Sequence, residues 1–152
     1  MNAPTKICSF CLIAIAAVFV MASAATPAAM LSDGPDLQDL MGGIKKNMKI
    51  VGLSVEDPAA NARALAAVNE MEVMLLAAKT HGPPNLNEVP RADREAHAIA
   101  FRVDLAKTLI ETLKIEIAVL EGRRDEAMDF LRGPLREMRD AGHEKYMPGE
   151  DS

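Results

Sequence analysis

The sequence predicts an all-α protein, an antiparallel up-down-up-down four-helix bundle, from three features. Aromatic residues make up only 3% of the 152-residue chain, and Ala, Leu, Met, Glu, Lys and Arg dominate. Sheets draw on β-branched and aromatic side chains, so this composition excludes an all-β fold. Four segments carry apolar residues at steps of three and four, the spacing of a helical face. Finally, the first and third breaks between segments are short, which makes the helices they join antiparallel neighbours.

The first segment reads as a signal peptide. Lys6 supplies the positive charge, Ile7 to Met21 is an almost uninterrupted apolar stretch, and Ala22-Ser23-Ala24 has the small residues a signal peptidase reads. Cleavage is expected after Ala24, leaving a flexible leader over 25–34. A retained anchor would need roughly 20 apolar residues and a basic flank, and small residues stand there instead. Both cysteines, Cys8 and Cys11, fall inside the signal, so Cys8-x-x-Cys11 is neither a redox nor a zinc motif of the mature chain. The bulky residues before each cysteine, Ile7 and Phe10, also exclude lipidation. The expected location is the periplasm, with no membrane attachment after cleavage.

The bundle domain spans 35–147, with 148–152 as a tail. Pro35 suits the first turn of helix one, and Asp36 and Asp39 favour its positive end. Leu37, Leu40, Met41, Ile44, Met48 and Val51 form its stripe, which stops near Gly52 to Ser54. Asp57-Pro58 opens the second helix as cap and first-turn proline. Its weaker stripe is Leu65, Val68, Met71 or Glu72, Leu75 and Ala78, and Gly82-Pro83-Pro84 ends it. Thr80 to Pro90 is a surface crossing. The third helix, Arg91 to Glu121, is expected to turn Ile99, Val103, Ala106, Ile110, Leu113, Ile117 and Leu120 inward. A second row of Phe101, Leu105, Leu109, Thr112 and Ile115 widens that face. Glu121-Gly122 is a stop. Arg123 to Tyr146 forms the fourth helix, with Met128, Leu131, Leu135, Met138 and Gly142 along one side and a kink at Gly133-Pro134.

Catalytic patterns are missing from the mature sequence. There is no Ser/His/Asp set and no cysteine nucleophile. The Glu-x-x-His repeats of di-iron bundles are absent too, and Glu95-Ala96-His97 is too closely spaced to supply one. Glu111 and Glu116 fall near the polar margin of the third helix with no answering pair. The chain is therefore not expected to be an enzyme. Its formal charge of −5, with no clustered basic face, argues against nucleic acid.

Two residues suggest a different chemistry. In an antiparallel bundle the start of the first helix and the end of the fourth lie at one end of the molecule. Met41 and His143 each sit about 5 to 8 Å from that end, at roughly 1.5 Å per residue. A thioether facing an imidazole is an axial pair suited to a low-spin haem iron. Each residue also has a plainer reading, Met41 as core filler and His143 as a partner of terminal carbonyls. A haem-free bundle acting as a binding or stress module therefore stays open. Copper held by soft ligands such as Met71-x-x-Met74 also stays open, with eight of the ten methionines beyond Ala24.

Asp36-Leu37-Gln38-Asp39-Leu40-Met41, the Pro83-Pro84 crossing, Phe101-Arg102, Glu121-Gly122 and Arg139-x-x-x-His143-Glu144-Lys145-Tyr146 stand in order along the chain. From about Asp36 to Tyr146 this pattern resembles the cytochrome b562 family, itself a standard example of this bundle topology. The resemblance implies a periplasmic electron carrier with one noncovalent haem b. Redox partner proteins are its expected partners, and the chain is expected to be a monomer. The resemblance places Met41 and His143 at the axial-ligand positions, and Phe101 and Arg139 at positions lining or flanking the haem. Arg139 reads either as a partner of a haem propionate or as a solvated helix charge. Compared with the family pattern, Gly122 to His143 is one residue longer. An added residue rotates the remainder of the helix by about 100° unless a π-bulge or kink absorbs it, and absorption near Gly133-Pro134 is expected.

Overall fold

Asp36 starts the fold by accepting the Asp39 N–H at 2.8 Å, and α1 runs Leu37–Ser54 behind it. A carboxylate at the cap satisfies an otherwise orphaned amide, so the helix begins after Asp36 and Pro35 precedes it rather than forming its first turn. The computed structural model describes residues 34–148. The expected signal peptide with Cys8 and Cys11, the leader as far as residue 33, and the tail from 149 onward lie outside the described residues.

Asp57 caps a short 3-10 turn, Pro58–Ala60, by accepting the Ala59 N–H at 2.9 Å, and the chain passes directly into α2, Asn61–Ala78. The crossing holds one further 3-10 turn, Leu86–Glu88. α3, Arg94–Leu120, is the longest element. It ends where Gly122 adopts φ +74, a left-handed conformation that glycine takes without steric cost. There the Arg123 N–H reaches Ala118 O at 2.8 Å and the Gly122 N–H reaches Val119 O at 3.1 Å, so the last carbonyls are satisfied.

The expected fourth helix is two helices, α4 over Arg124–Arg132 and α5 over Pro134–Tyr146. Pro134 has no N–H to continue the ladder, and Gly133 departs from helical geometry at ψ −101. A Cβ at Gly133 would lie 3.0 Å from Asp129 O, so glycine suits the break. The break takes the form of a kink, with ordinary four-residue hydrogen bonds from Gly133 to Asp129 and from Glu137 to Gly133 on either side.

Packing is sequential and antiparallel: α1 lies on α2, α2 on α3, and α3 on both α4 and α5. The result is an all-α four-helix bundle in which the fourth position is shared by α4 and α5. Among the described residues there is no strand, and no helix is long and apolar enough to cross a membrane. α1 meets the fourth side only lightly, through α4. The core is built from Leu40, Ile44 and Val51 of α1, Val68, Met71 and Leu75 of α2, and Leu131 and Leu135 of the fourth side, around the inner row of α3.

The sequence-based facing of α3 holds for its second row and fails for its first. Phe101, Leu105, Thr112, Ile115 and Val119 are buried, whereas Ile99, Val103, Ile110, Leu113, Ile117 and Leu120 are 38% to 63% exposed. Both rows recur at helical spacing, so period alone does not separate them. The inner row carries the bulky Phe101 and also Thr112, whose hydroxyl satisfies itself on Thr108 O at 2.9 Å. Glu111, expected near the polar margin, is also buried, with one carboxylate oxygen on Lys114 at 2.7 Å. Small residues missed in the α2 stripe, Ala64 and Ala67, are buried, while Leu65 is half-buried.

Replacing Ile115 by Ala should lower stability by about 3 kcal/mol, because a fully buried side chain leaves a cavity. Ile117→Ala should cost under about 1 kcal/mol. Urea unfolding followed by circular dichroism ranks the two, and the reverse ranking would make the Ile117 row the core face of α3.

Candidate functional site

Because α1 and α5 are held by different neighbours, they stand apart and leave a cleft between them with α3 as its floor. About 730 Å³ of empty space lies within it, including its open side. Leu37, Met41, Ile44 and Met48 line the α1 wall. Phe101, Asp104, Leu105 and Thr108 form the floor, and Leu135, Met138, Arg139, Gly142, His143 and Tyr146 face them from α5. Its lining is mainly apolar with a few polar groups, the composition typical of small-molecule sites.

All four residues singled out in the sequence, Met41, Phe101, Arg139 and His143, therefore line one cleft. Met41 and His143 stand on opposite walls, both half-buried. Beyond the kink at Gly133, His143 lies on the cleft side of α5. None of the hydrogen bonds among the described residues uses the His143 ring, whereas the His97 ring is engaged by Asn85 Oδ1 at 2.8 Å. At Gly142 an added Cβ would meet nothing within 4 Å, so the wall beside His143 is open.

Phe101 is 4% exposed and sits edge-on to Tyr146, with ring centroids 4.9 Å apart. Arg139 is half-exposed, and its Nε donates to Asp140 at 2.8 Å. Arg139 beside Asp140 holds that carboxyl below its ordinary value. The guanidinium at the cleft edge is thus already paired, and any incoming anion would share it with Asp140.

A polar tie that the sequence pattern did not mark closes one end of the cleft. The Tyr146 hydroxyl donates to Asp104 Oδ2 at 2.7 Å, and Lys145 Nζ donates to the same oxygen at 2.9 Å. Asn85 donates to Lys145 O at 3.1 Å, and His97 packs edge-on against Tyr146. Burial alone would raise the Asp104 carboxyl. The bonds from Tyr146 and Lys145, with the charges of Lys145 and Lys107, outweigh it and hold the group below its ordinary value. Burial and the Asp104 carboxylate lift the Tyr146 phenol. The one available signal was that Tyr146 is the chain's single tyrosine, placed three residues after His143.

A thioether from Met41 and an imidazole from His143, lining one mainly apolar cleft from α1 and α5, are donors of the kind that could hold a haem iron. Among the described residues no group of three or more His, Cys, Asp or Glu side chains gathers to hold a metal. Of the soft pair considered for copper, Met71 is 1% exposed in the core, and Met74 lies over Gly43 of α1. Compared with known proteins, the chain matches no family model and no curated protein.

Asp104→Asn should lower stability by about 1 kcal/mol at pH 7, the low end for charge-assisted bonds because the carboxylate is 39% exposed. The folded value of Asp104 is depressed, so its contribution is complete above the unfolded value near about 3.9 and is lost as pH falls through the folded value. Urea midpoints of the two proteins should therefore converge below about pH 4.

Proposed function

We propose that this protein is a periplasmic electron carrier that binds one noncovalent haem b in the α1/α5 cleft. The observation that carries the reading is the pairing of Met41 and His143 on opposite walls of one apolar cleft, with Phe101 and Arg139 beside them. The resemblance to the cytochrome b562 family supports it independently of the cleft.

Met41 and His143 would hold the iron through a thioether and an imidazole nitrogen, a donor pair that would raise the reduction potential. Bound haem supplies a one-electron iron(III)/iron(II) couple. The chain's part is to exclude water with Leu37, Ile44, Phe101 and Leu105, and to keep the imidazole facing the cleft through the kink and the Tyr146 tie. Arg139 offers a cation at the cleft edge for a carboxylate group. Electron transfer needs no acid, base or nucleophile from the protein, which agrees with the missing catalytic patterns. The acidic net charge suits redox partners with basic docking patches, met in salt-sensitive encounters.

The absorption spectrum of the purified protein, before and after dithionite, tests the assignment. Sharp α and β bands on reduction, with one haem per chain extracted into acid-acetone, are expected. His143→Ala should nearly abolish haem retention, whereas Met41→Ala should keep haem but lower its potential and weaken the low-spin form. A colourless protein that does not take up added hemin would leave the bundle a haem-free binding module. Unchanged spectra in both variants would remove these residues from the site.

A further inference from the structure

We propose that, in place of the monomer expected from the sequence, the exposed apolar stripe of α3 is a self-association surface on which a second copy of this chain docks antiparallel. From Ile99 to Leu120 the apolar positions recur at alternating steps of four and three, the seam of a coiled coil, over about 32 Å of helix. Helix α3 already buries its other face in the bundle, so this row is a second, unused one. Its six large side chains are 38% to 63% exposed. Over two copies that is on the order of 1,000 Å² of apolar surface, the size at which specific interfaces begin. On α2, Val73 and Leu76 are exposed as well, at 67% and 53%.

Charge selects the partner and its direction. Taking the stripe as the a and d positions, the flanking g positions are Glu95, Arg102, Leu109 and Glu116, and the e positions include Lys107, Lys114 and Glu121. A parallel pair would set Arg102 against the partner's Lys107, and Glu116 against the partner's Glu121. An antiparallel pair about a two-fold axis near Thr108 instead layers Ile99 on the partner's Ile117, Val103 on the partner's Leu113 and Ala106 on the partner's Ile110. That same arrangement brings Arg102 beside the partner's Glu116, twice by symmetry. The like-charge meeting of Lys107 with the partner's Lys107 is softened by Asp104 of its own chain at 4.0 Å.

A further feature favours a cation arriving there. Glu72 of α2 lies beside Glu116, and its Oε1 is buried with no hydrogen-bond partner among the described residues. Burial first, and the Glu116 charge second, raise its carboxyl. Arg102 is exposed and has no carboxylate partner among the described residues, so each copy carries one unmatched cation and one unmatched acidic pair at symmetric positions. A lipid surface fits less well, since interfacial helices flank their apolar face predominantly with Lys and Arg, whereas Glu95, Glu116 and Glu121 are interspersed with Arg102, Lys107 and Lys114 along the margins of this one. Sequential packing puts the α2/α3 edge opposite the α1/α5 cleft, so docking there leaves both clefts open and does not depend on what they bind.

Sedimentation velocity of the mature protein from micromolar to millimolar concentration tests the proposal. The mass should rise reversibly from one chain to two. Ile110→Lys, a change at an exposed position, should keep the circular dichroism spectrum and abolish the rise. Arg102→Glu and Glu116→Arg should each weaken dimerisation by about threefold to tenfold, and the two together should restore it. A single chain throughout, a dimer that survives Ile110→Lys, or charge reversals that do not rescue each other would overturn it. So would a single chain that sediments with phosphatidylcholine–phosphatidylglycerol vesicles, which would assign the stripe to lipid.

Discussion

The hydrogen bond from Tyr146 to Asp104 fixes where α5 can lie. α5 lacks a continuous contact with α1, so one side of it is free, and the Gly133-Pro134 break uncouples it from the straight course of α4. What remains is α3. Leu135 anchors the start of α5 in the core at 1% exposed, and Tyr146 anchors its end at 4% exposed through Phe101, His97 and Asp104. With both ends pinned, the middle of α5 has a defined face, and Met138, Gly142 and His143 turn toward α1. Both the wall and the separation of the cleft come from that two-point attachment.

Holding α1 away from α5 runs against the hydrophobic effect. Met41, Met48, Leu37 and Met138 are only partly buried along the cleft, and closing the gap would remove their surface from water at roughly 25 cal/mol per Å². The bundle stays open because the helices that would have to move are tied elsewhere: α1 to α2 through its packed face and the Asn47–Glu70 bond, and α5 to α3. An occupant with a large apolar face would recover that area without moving a helix. This is the physical sense in which a flat aromatic cofactor suits the gap, and it adds to the donor chemistry of Met41 and His143.

The four segments, the caps at Asp57 and Gly122, the break at Gly133 and the crossing were legible because each rests on local chemistry. A carboxylate finds a nearby amide, a proline lacks a donor, and a glycine adopts a positive φ. Met41 and His143 could be brought together because topology and helical rise fix depth along a bundle. Two features were not legible. The inward side of α3 depends on which neighbours cover it, and a helix apolar around most of its circumference carries no local mark of that choice. The Asp104–Tyr146 tie joins residues 42 apart in sequence, and an aspartate within a helix looks like a solvated charge until a partner helix is in place.

The molecule thus leaves apolar surface uncovered at two opposite edges, and the two differ in kind. The cleft is concave, interrupted by a thioether, an imidazole and a guanidinium, and its walls belong to helices that do not touch along it. Such a surface can enclose a small rigid molecule, but not another helix, because its donors would be buried unmatched. The α3 stripe is convex and unbroken by polar groups, with charges only along its margins, so it has no means of orienting a small ligand. Its regular spacing matches another helix instead, and its margins carry opposite charges at symmetric distances from the centre. Recognition at the first edge would rest on atoms and at the second on register, so one bundle could serve both without either constraining the other.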